Sequence, residues 1–327
     1  MRRSLHGRVG ALCVVLVLAM LTGCSSVGAG LVAAHDVQVS GGTTVQVAEG
    51  VYMVRGTGGE VDATNLGRIG NAGFIVGERG VIAIDVGTSY RHGAALLEAI
   101  RTITDKPVMV ALVTQVHQEF LFGAAAFREQ GIPMRMHRRA ADLMAARCGN
   151  CLKTLRNVLG EDEMRETTMF TPDQIFEDSH TLDVMGRSVR VLHFGHSSGP
   201  GNIAVYDERT GVLFAGGLMD SQRIPDVQDS QLEGWRAALS VVAALRVSTV
   251  VPGHGPAASS DLVATTRRYL DRLEARVRQL VEDGVALSEV PDASTLDEFR
   301  HWDQYDIIHR RNASVLYVRF ERELNFK

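Results

Sequence analysis

Hydrophobic and polar positions alternate along the first half of the chain as β-strands require. The runs V-Q-V-A-E-G-V-Y-M-V-R and F-I-V-G-E-R-G-V-I-A-I-D are rich in β-branched residues, and the G-E-R-G within the second run is typical of a hairpin turn. The period then changes to that of a helix over residues 90–103, with Leu96, Leu97 and Ile100 on one face. The strand V-M-V-A-L-V-T follows this helix, and a short helix over A-A-A-F-R-E comes next.

The second half of the chain repeats this order of strands and helices. A helix over residues 138–160 has its candidate core positions at Leu143, Leu152, Leu155 and Val158. Two hairpins and two helices are then predicted, in that order, over residues 182–194, 203–215, 232–245 and 261–283. Two halves of this kind predict a mixed α/β fold, a four-layer αββα sandwich in which both sheets bury one face.

The first 23 residues have the pattern of an export signal. Arg2, Arg3 and Arg8 form a basic start, and the apolar run A-L-C-V-V-L-V-L-A-M-L is shorter than a membrane-spanning helix needs to be. The run ends in L-T-G-C, which resembles the bacterial lipobox and implies that Cys24 becomes the lipid-acylated first residue of the mature protein. An ordinary signal peptide that contains a cysteine is the alternative.

Residues 24–43 are mostly small and rich in glycine, which predicts a flexible tether in front of a folded domain over residues 44–327. A lipid anchor attaches a protein to a membrane without a transmembrane helix. Ser25, which follows the acylated cysteine, favours by resemblance the outer membrane. We therefore expect a lipid-anchored protein of the bacterial cell envelope that faces the periplasm.

The charge of the chain argues against a nucleic-acid partner. The whole sequence has a net charge of −4, and loss of the three N-terminal arginines leaves the mature chain at about −7. The sequence contains no basic stripe and no basic patch interleaved with aromatic residues.

Two cysteines remain after Cys24, at Cys148 and Cys151 in R-C-G-N-C-L. In an oxidising envelope this spacing predicts a local disulfide. A redox-active pair is one alternative, although no thioredoxin-like pattern surrounds it. A zinc knuckle would need two further ligands nearby.

The segment T-Q-V-H-Q-E-F-L-F-G, residues 114–123, is a candidate metal loop. A strand that runs into a turn projects alternate side chains to one side, so Gln115, His117 and Glu119 can share a pocket. Imidazole and carboxylate groups bind metal ions, whereas the amide of Gln115 is a poor zinc ligand and Phe120 cannot bind a metal. Taken alone, this spacing is a weak signal, and polar residues at a strand end explain it better.

Three later motifs occur in a fixed order after this loop: V-L-H-F-G-H-S-S-G with His196, G-V-L-F-A-G-G with Gly217, and V-V-P-G-H-G-P with His254. Together the four motifs resemble the metallo-β-lactamase superfamily, whose loop reads H-x-H-x-D-H-x-x-G. The resemblance implies a metallo-β-lactamase-like αββα sandwich with a cleft that normally holds two zinc ions.

The same resemblance implies a degenerate ligand set. Gln115 stands at the position of the first histidine, Phe120 at that of the last histidine of the loop, and Gly217 at that of the metal-bridging aspartate. Four donors remain that could converge on one displaced metal ion, with Asp220 as an outer partner: His117, Glu119, His196 and His254. At most one zinc ion is therefore expected.

Further stretches, among them Q-R-I-P-D-V-Q-D-S and R-R-N-A-S-V-L-Y-V, resemble the branch called quinoprotein relay system zinc metallohydrolases. Members of that branch are exported and found beside quinone-dependent dehydrogenases, which implies a periplasmic quinoprotein system as a partner. Two functions stay open. One is hydrolysis of an unknown small molecule with a single metal ion, and the other is a non-catalytic binding or accessory role, that of a pseudoenzyme.

Asp226 and Asp229 precede the helix that is predicted to begin near Leu232. Aspartate is a favoured helix N-cap residue, so this pair is predicted to cap that helix and not to hold a cation.

Overall fold

The computed structural model describes residues 36–39, 42–183 and 186–325. The predicted signal peptide and Cys24 lie outside these residues. Within them the chain forms two β-sheets and eight α-helices. None of the helices described is long and apolar enough to cross a membrane.

The first sheet has eight strands that follow one another in chain order. They are β1 (Asp36–Val39), β2 (Gly42–Ala48), β3 (Val51–Arg55), β4 (Ala72–Val76), β5 (Val81–Ile84), β6 (Val108–Leu112), β7 (Met134–His137) and β8 (Gln174–Phe176). Strands β1 to β5 pair antiparallel, and β5 to β8 pair parallel. Parallel pairs need long crossover connections, which the intervening helices supply.

The second sheet has five strands in the order β13-β12-β11-β10-β9. They are β9 (His180–Leu182), β10 (Val189–His193), β11 (Ile203–Asp207), β12 (Val212–Gly216) and β13 (Thr249–Pro252). Only β12 and β13 pair parallel among these strands.

The helices connect the strands or follow the last one. They are α1 (Tyr90–Ile103), α2 (Gln118–Leu121), α3 (Ala124–Glu129), α4 (Arg138–Glu163), α5 (Leu232–Ala243), α6 (Asp261–Glu282), α7 (Val290–Ala293) and α8 (Arg310–Asn325). A short 3-10 turn at Asp297–Phe299 and a π-helical turn at Tyr305–His309 lie between α7 and α8.

Three apolar cores establish the order of the layers. Ile75 of the first sheet and Val205 of the second belong to one buried cluster, so the sheets pack face to face. The opposite face of the first sheet packs against α1, α3 and α4 around Phe127. The opposite face of the second sheet packs against α5, α6 and α8 around Leu273. The predicted αββα sandwich is therefore confirmed.

The predicted helix over residues 90–103 is α1, and the helix predicted over 138–160 is α4. Leu155 is fully buried as predicted, but Val158 is 40% exposed, so its assignment to the core was wrong. The buried face of α4 runs through Cys148, Leu155 and Leu159 at spacings of seven and four residues, and Val158 lies beside that face.

Part of the segment predicted as a tether is sheet. Strand β1 pairs with β2, which begins at Gly42, so both lie at least partly within residues 24–43. The alternating sequence D-V-Q-V of β1 has the two-residue period of a strand. The folded domain therefore includes residues before position 44.

Candidate functional site

Loops at the ends of three strands meet around a cavity of about 190 Å³, called the central cavity below. Strands β6 and β12 each pair parallel with a neighbour, and such strand ends are where α/β sheets commonly bind ligands. Each loop contributes residues to the lining: Gln115, His117 and Glu119 after β6, Gly217 and Asp220 after β12, and His254 after β13.

Two carboxylates hold the imidazole of His254 from both sides. Its Nδ1 lies 2.9 Å from Oδ1 of Asp220, and its Nε2 lies 3.0 Å from Oε1 of Glu119. The same Oε1 lies 3.8 Å from Nδ1 of His117. The structure thus brings together three of the four predicted ligands, and both ring nitrogens of His254 already have partners.

This arrangement favours protonated histidines. Partial burial would lower the pKa of His117, but the nearby carboxylate of Glu119 outweighs this effect and raises that pKa to about 9. The pKa of His254 is also raised, because Asp220 and Glu119 outweigh the effect of burial. Burial would raise the pKa of Glu119, but contact with both histidines lowers it well below its usual range. The contacts therefore favour the charged forms of both histidines and of the Glu119 carboxylate.

Gln115 and Gly217 fit against each other. The side chain of Gln115 is buried, and a Cβ atom placed on Gly217 would lie 2.2 Å from its Oε1. The same Cβ would lie 2.8 Å from Nδ2 of Asn202. No side chain can therefore extend from position 217 while Gln115 keeps this conformation.

Phe120 fills the neighbouring space with an aromatic ring that is 1% exposed. The ring contacts His254 edge-on, with a centroid distance of 5.3 Å. A Cβ atom on Gly70 would lie 2.5 Å from its Cζ, so the ring packs directly on the backbone there. Asp85 lies close by at the end of β5, where its Oδ1 accepts a hydrogen bond of 2.8 Å from the backbone N–H of Thr114.

The fourth predicted ligand, His196, lies elsewhere, so the prediction that all four donors converge was wrong. Its side chain is exposed, and its Nε2 lies 2.7 Å from the backbone oxygen of Asp229. It lines a different surface depression together with Glu233 and Arg236. Contact with the segment before α5 directs the ring away from the central cavity.

A second cavity of about 370 Å³, called the side cavity below, shares His117 and Glu119 with the central one. Helix α4 lines it with Cys148 and Cys151. Both cysteines are free thiols whose sulfur atoms lie 3.0 Å apart, whereas a disulfide bond measures about 2.05 Å. The predicted disulfide is therefore not formed in this structure, although the two sulfur atoms are in contact.

The predicted capping role of Asp226 and Asp229 was wrong. Helix α5 begins after Gln231, and no side chain caps it. Asp226 pairs with Arg311 at 2.6 Å, and Asp229 pairs with Arg147 at 2.7 Å. The two carboxylates therefore pair with arginines of α8 and α4, and they do not cap the start of α5.

Sequence reasoning missed several residues that line the central cavity. Ser198 and Asn202 come from the loop before β11, while Arg223 and Arg311 lie in stretches noted only for their family resemblance. Arg223 donates hydrogen bonds to Asp303 at 2.5 Å and to a backbone oxygen at 2.8 Å. Because these partners are distant in the chain, no local spacing could have identified them.

The donors present do not fit a pair of zinc ions. A zinc site takes about three protein ligands, and each histidine must offer a free nitrogen lone pair. Both nitrogens of His254 are engaged, His196 lies outside, and Gln115 and Phe120 fill the adjoining space. Across residues 42–183 and 186–325, no three His, Cys, Asp or Glu side chains are arranged to hold a metal ion.

Two curated proteins resemble parts of this chain. A metallo-beta-lactamase type 2 of Bacteroides fragilis is 26% identical over 126 residues, which cover 37% of this chain and 51% of that protein. A linear primary-alkylsulfatase of a Pseudomonas species is 24% identical over 218 residues, which cover 56% of this chain and 40% of that protein. The chain thus spans about half or less of the length of these relatives.

Solved structures share the fold. A metallo-beta-lactamase from Pontibacter korlensis superposes with a TM-score of 0.57 at 21% identity, covering 72% of this chain and 99% of that one. The metallo-beta-lactamase FIM-1 from Pseudomonas aeruginosa, in its mono-zinc form, gives 0.56 at 22% identity, covering 72% and 96%. The profile of the metallo-beta-lactamase superfamily matches residues 66–254, more than half of the chain. The chain therefore belongs to the metallo-beta-lactamase superfamily.

Proposed function

We propose that this member of the metallo-beta-lactamase-fold hydrolase superfamily has lost the two-zinc centre and binds a small polar molecule without hydrolysing it. The observation that carries the proposal is the fit between Gln115 and Gly217, where a Cβ atom would lie 2.2 Å from the glutamine oxygen. By family resemblance these are two ligand positions. Gln115, a poor zinc ligand, fills the space that a side chain at position 217 would need.

The hydrogen bonds of His254 add to this proposal. A metal ion would have to displace a carboxylate at 2.9 Å or one at 3.0 Å, and also a proton. Metal binding releases protons from histidine ligands, so histidines with raised pKa values bind a metal less readily. The charge that a metal would supply is replaced by a network of protonated imidazoles and carboxylates.

The lining of the central cavity suits a polar ligand. Gln118, Ser198 and Asn202 offer hydrogen-bonding groups, and the His117 side chain is 40% exposed. A small number of polar groups in a concave site is typical of small-molecule binding. A protonated His117 favours a ligand that carries a negative or strongly polar group.

A second function, hydrolysis with a single metal ion, is favoured by one observation. His117, Glu119 and His254 already lie together, with neighbouring donor atoms 3.0 and 3.8 Å apart. These three residues would have to rearrange around the ion, which would polarise a substrate and acidify bound water. The related lactamase and alkylsulfatase are named for hydrolytic reactions.

Zinc content distinguishes the two functions. The full chain is produced with added zinc, and its zinc is measured by elemental analysis. The melting temperature is then compared with and without a chelator. We expect far less than one zinc ion per chain and an unchanged melting temperature. Two zinc ions per chain, together with destabilisation by the chelator, would contradict the loss of the two-zinc centre.

A pair of histidine variants tests the single-metal alternative. If one ion binds per chain, His254→Ala should abolish binding, because that ring faces the central cavity. His196→Ala should retain it, because His196 is exposed and bonded to Asp229. Equal loss of zinc in both variants would mean that His196 turns inward when metal binds.

We further propose that the chain is exported to the bacterial envelope, anchored through acylated Cys24 and associated with a periplasmic quinoprotein system. The lipobox-like L-T-G-C and the likeness to the quinoprotein relay branch support this. Incorporation of radiolabelled palmitate into the wild-type chain, and its loss in Cys24→Ala, is the expected result. Label retained in Cys24→Ala would refute acylation at this cysteine.

A further inference from the structure

The two cysteines of α4 lie close together, but they differ in their access to solvent. Cys148 and Cys151 are one helical turn apart, so their side chains point to the same side. Their sulfur atoms lie 3.0 Å apart, in reach of a bond that needs little backbone movement. Cys148 is 1% exposed, whereas Cys151 is partly exposed. One sulfur is therefore accessible, and the other lies directly behind it.

The accessible sulfur, that of Cys151, faces the side cavity. Cys148 and Cys151 line the side cavity, whose wall also contains His117 and Glu119 of the central cavity. Leu143 lines the same cavity, and Arg147, paired with Asp229 at 2.7 Å, stands beside the cysteines. A volume of about 370 Å³ leaves room for part of a small molecule to approach the sulfur.

We propose that Cys148 and Cys151 form a thiol–disulfide exchange site that reacts with small disulfides entering through the side cavity. This proposal does not depend on the function proposed for the central cavity. Exchange needs an accessible attacking sulfur and a second thiol within bonding reach, and the geometry above provides both.

The thiolate of Cys151 attacks one sulfur of the external disulfide, breaking its S–S bond and forming a mixed disulfide. The released thiolate takes up a proton. Cys148 then loses its proton and attacks the Cys151 sulfur, which forms the Cys148–Cys151 bond and releases the second thiolate, which also becomes protonated. The pair is oxidised by two electrons, and the external disulfide is reduced to two thiols.

The electrostatics of the pair agree with this order of attack. Contact with Cys148 lowers the pKa of the Cys151 thiol, despite the opposing effect of burial. Contact with Cys151 and burial both raise the pKa of Cys148. The more exposed sulfur is thus the one that forms a thiolate more readily, and the thiolate is the nucleophile in exchange.

Trypsin makes the test direct, because Arg147 and Lys153 flank a peptide C-G-N-C-L-K that contains both cysteines. The folded full chain is equilibrated in glutathione buffers of stepped ratio, acid-quenched, alkylated and digested. We expect the peptide to pass reversibly from doubly alkylated to internally disulfide-bonded. Doubly alkylated peptide at every ratio, or a bond that reductant reaches only after denaturation, would overturn the proposal.

Single-cysteine variants test the direction of attack. Cys148→Ser should trap glutathione on Cys151, whereas Cys151→Ser should trap about tenfold less on Cys148, because that thiol is buried. Circular dichroism checks that both variants are folded. Equal trapping in the two folded variants would overturn the assignment of Cys151 as the attacking residue.

Access through the side cavity is tested on the same helix. Leu143→Trp places a large ring in the cavity lining and should slow oxidation of the pair by glutathione disulfide. Ala145→Trp, at an exposed position of α4, should leave the rate unchanged. Equal rates in both variants would overturn entry by this route.

Discussion

At the scale of single residues, the site consists of side chains that fill one another's space. Gln115 occupies the volume in front of Gly217, and the Phe120 ring packs on Gly70. Each of these pairs joins a large residue to a glycine, so a side chain added at the glycine forces its partner to move. An aspartate at position 217 alone should therefore destabilise the domain without creating a metal site.

We expect Gly217→Asp to lower the free energy of unfolding by about 1–3 kcal/mol, the usual cost of overpacking a filled site. Urea denaturation measures this. Gly149→Asp is the matched control, since nothing lies within 4 Å of an added Cβ atom there.

The double variant Gln115→Ala/Gly217→Asp removes the clashing amide. Its destabilisation should be smaller than the sum of those of the two single changes, because the two positions share one space. Additive losses would show that Gln115 does not fill the space at position 217.

At the scale of elements, α4 combines a long helix with a break near its end. Gly160 has φ 82° and ψ 161°, far from helical values, and the chain resumes a helical turn as far as Glu163. Side chains other than glycine's are essentially excluded from that backbone region. The predicted end of this helix at residue 160 thus coincides with the break.

Two glycines of α4 should respond oppositely to the same substitution. Gly160→Ala should destabilise the domain by about 1–3 kcal/mol, the cost of forcing a side chain into this conformation. Gly149→Ala lies in regular helix, where alanine is favoured over glycine by about 0.5–1 kcal/mol, so it should stabilise. Thermal or urea unfolding of both variants checks the signs, and the same sign in both would contradict the assigned break.

At the scale of the whole molecule, one buried ion pair joins the two sheets. Arg187 donates hydrogen bonds of 2.8 and 2.6 Å to Asp207 in the second sheet. It also donates to the backbone oxygen of Val76 at the end of β4, at 3.0 Å, and to that of Glu49 between β2 and β3, at 3.1 Å. The side chains of the pair are only 4% and 0% exposed, so loss of either charge leaves the other buried without its opposite charge.

Asp207→Asn should therefore lower the free energy of unfolding by about 3–5 kcal/mol near pH 7. Bonds from Arg187 and Thr210 outweigh burial and lower the pKa of Asp207. The stabilisation is complete above the unfolded pKa of about 4, and it is lost as pH falls through the lower folded value.

The difference in free energy of unfolding between the wild type and Asp207→Asn should accordingly become smaller in acid. Denaturation across a pH series measures it. Glu208→Gln, in a half-exposed pair with Arg190 at 3.5 Å, is the control and should cost less than about 1 kcal/mol. If the difference in free energy of unfolding stayed the same in strong acid, this would contradict the stabilising role of the Asp207 charge.

Local sequence was sufficient to predict many of the elements, the layered architecture and the superfamily. Helix α1 and the hairpins of the second sheet follow from local periodicity, because the burial of one face dictates where apolar residues recur along the chain. The ordered motifs also located the loops that carry His117, Glu119 and His254. These properties depend on residues that are close in the sequence, so they can be predicted from the sequence alone.

The directions of individual side chains, in contrast, depend on contacts made in the folded protein. His196 turns outward because the Asp229 backbone binds it, and Asp226 and Asp229 face arginines of α8 and α4 instead of a helix terminus. The cysteine pair faces the cleft because α4 packs beside the loop of His117. Each of these directions is set by a contact between residues distant in the chain, and periodicity carries no information about such contacts.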